Sequence, residues 1–425
     1  MRQMEASWAS GSKIERSKTR LDRLGYFEEV GVETPPVVGA ADQIDVNYTV
    51  KEKASGNLSA GVGYSQVQGV IFNANVSQDN IFGTGKRLDF AFNNSLILTN
   101  YKLGFTDPYF TLDGVSLGYN LGYLKRNAYA ANLASYNTNI ANAGMSFGVP
   151  LNEYDRLGFD IDVKNTEVTS SNLSSCKVIN SIFALNNISN DTCGAKDAND
   201  KTIIPYATAS FNTVSFATGW THDTLDRATF ATKGGQQRLS GLITAPFGEL
   251  KYYKAGYKQQ QYFPLSNDFT LRLLGEVAHG GSYSGESGLP FFENYYAGGT
   301  GDVRGFMQNT MGPRDESPAD SRYRLYSYAR PFGGSTKVIA KAELFFPVPF
   351  LSDIKSVRLG AFLDAGTLAS GLNSNELNKY FRYSAGLSGE WLSPFGALAV
   401  SVAQPMNTQT SDRTQAFQFT FGSGF

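Results

Sequence analysis

The sequence predicts a membrane all-β protein: a 16-stranded antiparallel transmembrane β-barrel that follows a partial α+β domain. Three observations predict it. Apolar and polar residues alternate with a period of two from Gly56 almost to the C-terminus. Only 18% of the 425 residues are charged, against about 25% in soluble domains, while 44 are Gly, 30 Phe and 23 Tyr. Short and long connections alternate along the chain between these segments, which is typical of an outer-membrane barrel with short turns at one end and long loops at the other.

Composition excludes several classes of function. With 37 basic and 38 acidic side chains the net charge is −1, so nucleic acid is not an expected partner. No run approaches the roughly 18 apolar residues that a transmembrane helix needs. Two Cys and two His are too few for a four-ligand zinc site, and we expect no metal and no cofactor. Met1 precedes Arg2 and Gln3 without an apolar stretch, so no signal peptide is expected at this end.

The N-terminal part of the chain has a different pattern. A helix is expected over residues 13–24, because Ser12 and Glu15 have the spacing of a capping box. Alternating segments at 26–32 and 43–50 predict two strands. Together these elements predict a small α+β domain that is only partly represented.

The alternation beyond this domain gives every segment one apolar side and one polar, small or charged side. The clearest examples lie at 88–92, 115–123, 157–163 and 417–421. A soluble sandwich also alternates, but the polar sides here are too many to surround one ordinary core. In a transmembrane barrel the apolar side chains face lipid and the polar ones line the lumen. We count sixteen such segments and assign residues 1–53 to the first domain and residues 54–425 to the barrel.

The longest connection, at about 284–335, contains the motif Val303-Arg304-Gly305-Phe306. Glycine-rich flanks permit this loop to fold into the lumen, where the Arg304 guanidinium can make bidentate contacts with carboxylates. Strand parity places Glu343 and Asp364, on two consecutive strands, on the inner face. We therefore expect Arg304 to pair with both carboxylates. A solvated loop arginine and independent lumen charges are the alternatives.

Both ends of the barrel sequence contain glycines that weaken strand pairing. Since a closed barrel pairs its first strand (about 56–65) with its last (about 414–424), we predict a weak lateral seam between them. Glycine that serves only the curvature of the wall is the alternative. The positions assigned to the seam are Gly56, Gly61, Gly63, Gly422, Gly424 and Phe425.

Cysteine and histidine are rare enough to be considered one by one. Cys176 and Cys193 lie in a second long loop, where an oxidising envelope favours a disulfide over two free thiols. His222 and His279 are not joined to a nucleophile by any recognisable motif. We expect both to be interfacial or lumen residues and the protein not to be an enzyme. An outer-membrane hydrolase is the alternative of a different class.

Several segments carry a resemblance to a known family. The sequence resembles, over essentially its whole length, the BamA family, the central subunits of the bacterial β-barrel assembly machinery, limited to the last POTRA domain and the barrel. The segments that carry the resemblance lie at 2–5, 23–28, 48–52, 78–80, 107–110 and 292–299. The motif at 303–306 is the most specific of all, and residues 417–425 resemble the C-terminal β-signal of the family.

The resemblance implies a location and a function. Residues 1–53 would be the partial C-terminal POTRA domain in the periplasm, and the barrel would lie in the bacterial outer membrane. The implied function is folding and insertion of nascent β-barrel proteins through the seam. Outer-membrane lipids, nascent β-barrel substrates and accessory lipoproteins of the assembly complex are the implied partners. It also implies that Arg304 contacts Glu343 and Asp364. A polypeptide-secreting channel of the same superfamily, which would share the loop motif, is the alternative.

Overall fold

The computed structural model describes most of the chain. The described residues are 3, 5–23, 27–40, 42–52, 55–111, 113–171, 174–186, 193, 205–227, 229–285, 288–315, 330–348, 356–393 and 396–422. Within these ranges, no helix combines the length and the apolar character needed to cross a membrane.

The N-terminal region forms one helix packed against a two-stranded antiparallel sheet. Its elements are α1 (Gly11–Arg23), β1 (Phe27–Glu33) and β2 (Asn47–Glu52). Ile14 of α1 and Val30 of β1 are buried and form the small core of this region. The predicted helix and both predicted strands are present, each displaced by one to four residues from its predicted bounds.

The start of α1 differs from the prediction. The carbonyl of Ser10 accepts hydrogen bonds from the backbone amides of Lys13 and Ile14, so the first turn closes on Ser10. Ser12 therefore lies inside the first turn, and its interpretation as the helix cap was wrong. The spacing to Glu15 could not reveal this, because capping also requires a residue with an extended backbone at the cap.

Within the described residues, sixteen antiparallel strands form a closed barrel, as predicted. The wall strands are β3 (Gly56–Ser65), β4 (Gly69–Gln78), β5 (Arg87–Asn94), β6 (Leu98–Asp107), β7 (Ser116–Asn127), β8 (Tyr136–Pro150), β9 (Asp155–Ser170), β10 (Thr208–Asp223), β11 (Gly234–Thr244), β12 (Tyr252–Pro264), β13 (Thr270–Ser282), β15 (Thr336–Phe346), β16 (Val357–Ala369), β17 (Arg382–Ser393), β18 (Gly396–Met406) and β20 (Phe417–Phe421). Two short strands, β14 (Gly305–Phe306) and β19 (Thr414–Gln415), form a separate sheet.

The barrel has the inverted polarity that the sequence predicts. Large apolar side chains such as Leu121 of β7 and Leu363 of β16 point outward and are about 60% exposed. The neighbouring Asp364 points inward and is buried. An apolar outer band around a polar interior is the arrangement of a transmembrane barrel, because hydrocarbon surrounds the wall.

An apolar core joins side chains of the loops to residues of the barrel wall. The helix α2 (Cys176–Leu185) lies in the loop between β9 and β10 and buries Val178, Ile179 and Ile182 against wall and loop residues. Cys176 and Cys193 form a disulfide with a Cα–Cα distance of 5.6 Å, which fixes the start of this helix to the following loop. A second short helix, α3 (Ser374–Lys379), follows β16.

Candidate functional site

The loop between β13 and β15 enters the barrel and brings the motif 303–306 against the inner wall. Gly305 adopts φ +87°, a conformation that favours glycine. A Cβ atom at this position would lie 3.1 Å from the Cβ of Ala403 on β18. Glycine therefore permits both the turn and the close approach of the loop to the wall.

Arg304 makes four hydrogen bonds to two carboxylates of the wall. Its Nε and Nη2 donate to the two carboxylate oxygens of Asp364 at 2.7 and 2.9 Å, and its Nη1 donates to Oε1 of Glu343 at 2.7 Å. The backbone amide of Arg304 adds a fourth bond to Asp364 at 3.1 Å. All three residues are buried, with at most 6% of their surface exposed. Because the pairing is bidentate and buried, it fixes the orientation of the loop as well as its position.

Further wall residues complete this ion cluster. The guanidinium of Arg304 lies 3.4 Å from the centroid of the Phe362 ring, and Ser388 Oγ donates to Glu343 Oε1 at 2.7 Å. Lys341 Nζ lies 3.9 Å from Asp364, and Arg272 lies 3.6 Å from Glu343. Sequence analysis did not name Phe362, Ser388 or Arg272 as members of this site, although their positions on the inner face follow from the strand parity that places Glu343 and Asp364 there. Three cations, Arg304, Lys341 and Arg272, thus surround the two buried carboxylates, so each buried carboxylate has more than one cation within 4 Å.

The other residues of the motif are buried in an apolar cluster. Val303 is fully buried and Phe306 is 1% exposed. They pack in one cluster with Ala297, Met311, Ile339 and Leu368. The motif is therefore held by apolar contacts on both sides of the arginine, and its ends cannot move independently of the ion cluster.

The loop also contacts the last part of the chain, which sequence analysis did not predict. Gly305 and Phe306 pair in antiparallel register with Gln415 and Thr414. Gln418 Nε2 donates to the carbonyl oxygen of Phe306 at 2.8 Å. The anchored loop therefore joins the wall at β15 and β16 to the final strand.

The seam between the last and first strands is short. Among the described residues, β20 pairs with β3 only at Thr420–Ser65 and Phe421–Tyr64, whereas five residue pairs join β20 to β18. Next to these pairs, the backbones of Gly63 and Gly422 lie in close contact. A Cβ atom on Gly422 would lie 2.9 Å from the Cα of Gly63. Ordinary side chains at this contact would separate the two strands.

Two other positions assigned to the seam have no partner on β20 among the described residues. Gly56 and Gly61 of β3 pair instead with Gln78 and Asn73 of β4. Gly424 and Phe425 lie outside the described residues.

The two histidines lie in separate parts of the wall. His222 Nδ1 is 2.9 Å from Asp155 Oδ1, which also accepts from Trp220 Nε1. His279 Nδ1 is 2.8 Å from Thr336 Oγ1. Glu276, the carboxylate nearest to His279 in the sequence, forms ion pairs with Lys258 and Lys337. In the described part of the chain, no group of three or more His, Cys, Asp or Glu residues is arranged to hold a metal ion.

Comparison with known proteins agrees with this architecture and confirms the resemblance to the BamA family. The outer membrane protein assembly factor BamA of Neisseria meningitidis is 34% identical over 100% of this chain, which covers 54% of that protein. The corresponding protein of Nitratidesulfovibrio vulgaris is 24% identical over 100% of this chain, which covers 48% of it. The chain thus spans about half the length of these relatives.

Solved structures extend the comparison to the fold. The crystal structure of BamA from Haemophilus ducreyi lacking POTRA domains 1–3 has a TM-score of 0.84 and 30% identity, covering 99% of this chain and 80% of that one. CdiB from Acinetobacter baumannii shares the fold, with a TM-score of 0.58 and 14% identity over 96% of this chain and 67% of that one. Residues 1–53 match the POTRA family, described as a surface antigen variable number repeat, and residues 80–425 match the Omp85 superfamily domain. Since this second match covers most of the sequence, the chain belongs to the Omp85 superfamily.

Proposed function

We propose that this chain folds and inserts nascent β-barrel proteins into the bacterial outer membrane through the seam between β3 and β20. The observation that carries the proposal is the seam itself, which has two residue pairs among the described residues. Unpaired backbone groups are costly in hydrocarbon, at several kcal/mol each by order of magnitude. A seam that is paired over so short a length opens at lower cost than any fully paired strand boundary, and its edges can then pair with an incoming strand.

The anchored loop supplies the second part of this proposed mechanism. Arg304, Glu343 and Asp364 hold the loop in the lumen next to the last strand, so the part of the wall beside the opening edge, from β15 to β18, keeps its shape. The loop motif and these two carboxylates are therefore proposed as the functional residues, with a positional and not a chemical role. No covalent chemistry, cofactor or nucleotide is needed, because strand exchange replaces one set of hydrogen bonds by another.

The proposal also assigns a location and partners. Residues 1–53 are proposed to be a partial POTRA domain in the periplasm, and residues 54–425 to be the membrane barrel. Outer-membrane lipids would surround the apolar outer band, and nascent β-barrel proteins would be the substrates. Accessory lipoproteins of the assembly complex are the further partners. The name of the N. meningitidis relative, outer membrane protein assembly factor, supports this assignment.

A polypeptide-secreting channel of the same superfamily is the alternative. Because such a channel would share the loop motif, the anchored loop does not separate the two functions. The identities favour assembly: this chain is 34% identical over its whole length to the N. meningitidis assembly factor and 14% identical to CdiB, whose likeness concerns the fold alone. We therefore favour insertion through the wall over passage through the lumen.

A disulfide across the seam tests the proposal. In the full-length protein, Tyr64→Cys with Phe421→Cys joins two residues that face each other across the seam. The control pair is Leu121→Cys with Ala143→Cys, which face each other across β7 and β8. We expect the oxidised seam pair to abolish insertion of a denatured porin into liposomes, with recovery on reduction, and the control pair to have no effect. Insertion through a fully oxidised seam would contradict the proposal.

A further inference from the structure

The segment at the beginning of the last strand, β19, does not pair with the barrel wall within the described residues. Pairing between β18 and β20 extends to Val402–Phe417, and Ala403 N still donates to the carbonyl of Ala416 at 2.9 Å. The next donor on this edge of β18 would be residue 405, which is proline and has no N–H. The ladder therefore stops, and β19 loses its partner in the wall.

The loop motif takes the place of that partner. Gly305 and Phe306 pair with β19, and the amide of Met307 donates to the carbonyl of Arg413 at 2.8 Å. At the position of Gly305, a Cβ would lie 3.4 Å from the nitrogen of Pro405. The loop strand thus lies against the inner side of β18, at the residue where the wall ladder ends.

Gln418 extends this contact into the wall portion of the last strand. Its side chain is 3% exposed on the inner face of β20, and its Nε2 donates to the Phe306 carbonyl at 2.8 Å. Its Oε1 and the Oγ of Ser401, the residue opposite on β18, are buried with no hydrogen-bond partner among the described residues. Half of the Gln418 amide therefore stays unsatisfied, so the bond gives only a small net stabilisation and can be exchanged.

The outer edge of the last strand also has a substitute partner. The Oε1 of Gln66, just beyond β3, accepts from the backbone amide of Phe419 at 3.2 Å and from Gln415 Nε2 at 2.8 Å. A side chain here replaces backbone pairing. The loop motif thus binds β19 on one side, and Gln66 binds Gln415 and Phe419 on the other. A neighbouring strand with a complete backbone ladder would replace either contact.

We propose that Gln418 is a positioning residue that couples the loop motif to the last strand. The motif serves as a stand-in strand, holding β19 inside the lumen until an incoming strand provides a complete ladder. Arg304 fixes the motif to β15 and β16, and Gln418 transmits that position to β20. This inference rests on the proposed function, because the incoming strand is the substrate at the seam.

Hydrogen exchange of the chain in lipid nanodiscs tests the contact without requiring insertion activity. Gln418→Leu removes the donor, and Gln404→Leu is the matched control, since Gln404 is exposed on the outer face of β18. We expect roughly fivefold faster amide exchange at 304–307 and at 413–417, equivalent to about 1 kcal/mol for one hydrogen bond. Exchange in β15 and β16 and in the control should be unchanged. Unaltered exchange at both segments, or equal acceleration in all strands, would overturn the proposal.

Insertion of a denatured porin by the full-length protein tests the consequence. We expect Gln418→Leu to lower the initial rate by a similar factor while Gln404→Leu retains the original rate. Faster exchange with unchanged insertion would refute the positioning role but not the proposed function. If the unmodified protein itself inserts no porin, the proposed function fails, and the exchange result still decides whether Gln418 joins the loop to the last strand.

Discussion

Replacing Arg304 by alanine is the most direct perturbation of the anchored loop. The substitution removes three side-chain hydrogen bonds and leaves Glu343 and Asp364 facing each other across a buried space. Removing one partner of a buried ion pair costs about 3–5 kcal/mol. The lower value applies here, because Lys341 and Arg272 still lie within 4 Å of the two carboxylates.

A cost of about 3 kcal/mol corresponds to an increase on the order of a hundredfold in the fraction of molecules with a released loop. Thermolysin cleavage of the loop measures this fraction, because the enzyme does not need the substituted arginine. Arg304→Lys should give an intermediate rate, since lysine keeps the charge but not the bidentate fork. Arg238→Ala, at an exposed position of β11, is the control. Equal cleavage of Arg304→Ala and the unmodified protein would refute the anchoring argument.

The remaining predictions concern the surroundings of this cluster. Asp364→Lys should release the loop more than Asp364→Asn, because reversal places a third cation against Arg304; equal cleavage rates would show that Asp364 is not its partner. Phe362→Leu should weaken loop retention by about 1–2 kcal/mol through the lost cation–π contact, as measured by the same cleavage assay. Cys176→Ser with Cys193→Ser should speed proteolysis within the loop that follows α2, since closing a loop of this size is nominally worth about 3 kcal/mol, and barrel stability should stay unchanged.

Sequence periodicity determined the inner face of the barrel because side chains alternate strictly along a strand. Glu343 and Asp364 could therefore be placed in the lumen without a structure, and a single register error would have turned both toward lipid. The same rule places Phe362 and Ser388 inward. It does not say which inward residues meet, because that depends on how far the loop enters the barrel.

Strand periodicity could not predict the contacts between the loop and the last strand. Phe306 and Gln418 are 112 positions apart, and their bond depends on where the loop strand comes to lie. One local signal was present, since Pro405 interrupts an alternating segment and proline removes a ladder donor. That signal says that the ladder ends, but the identity of the substitute partner required the structure.

Pro405 provides a test that separates a stand-in strand from a loop that merely touches the wall. Pro405→Ala returns an N–H to the edge of β18 and allows the wall ladder to continue to Thr414. β19 then has two competing partners, so amide exchange at 304–307 should become faster while exchange at 413–415 becomes slower. Gln418→Leu, in contrast, should accelerate both segments. Parallel changes in the two segments of Pro405→Ala would show that the loop motif and the wall do not compete for the last strand.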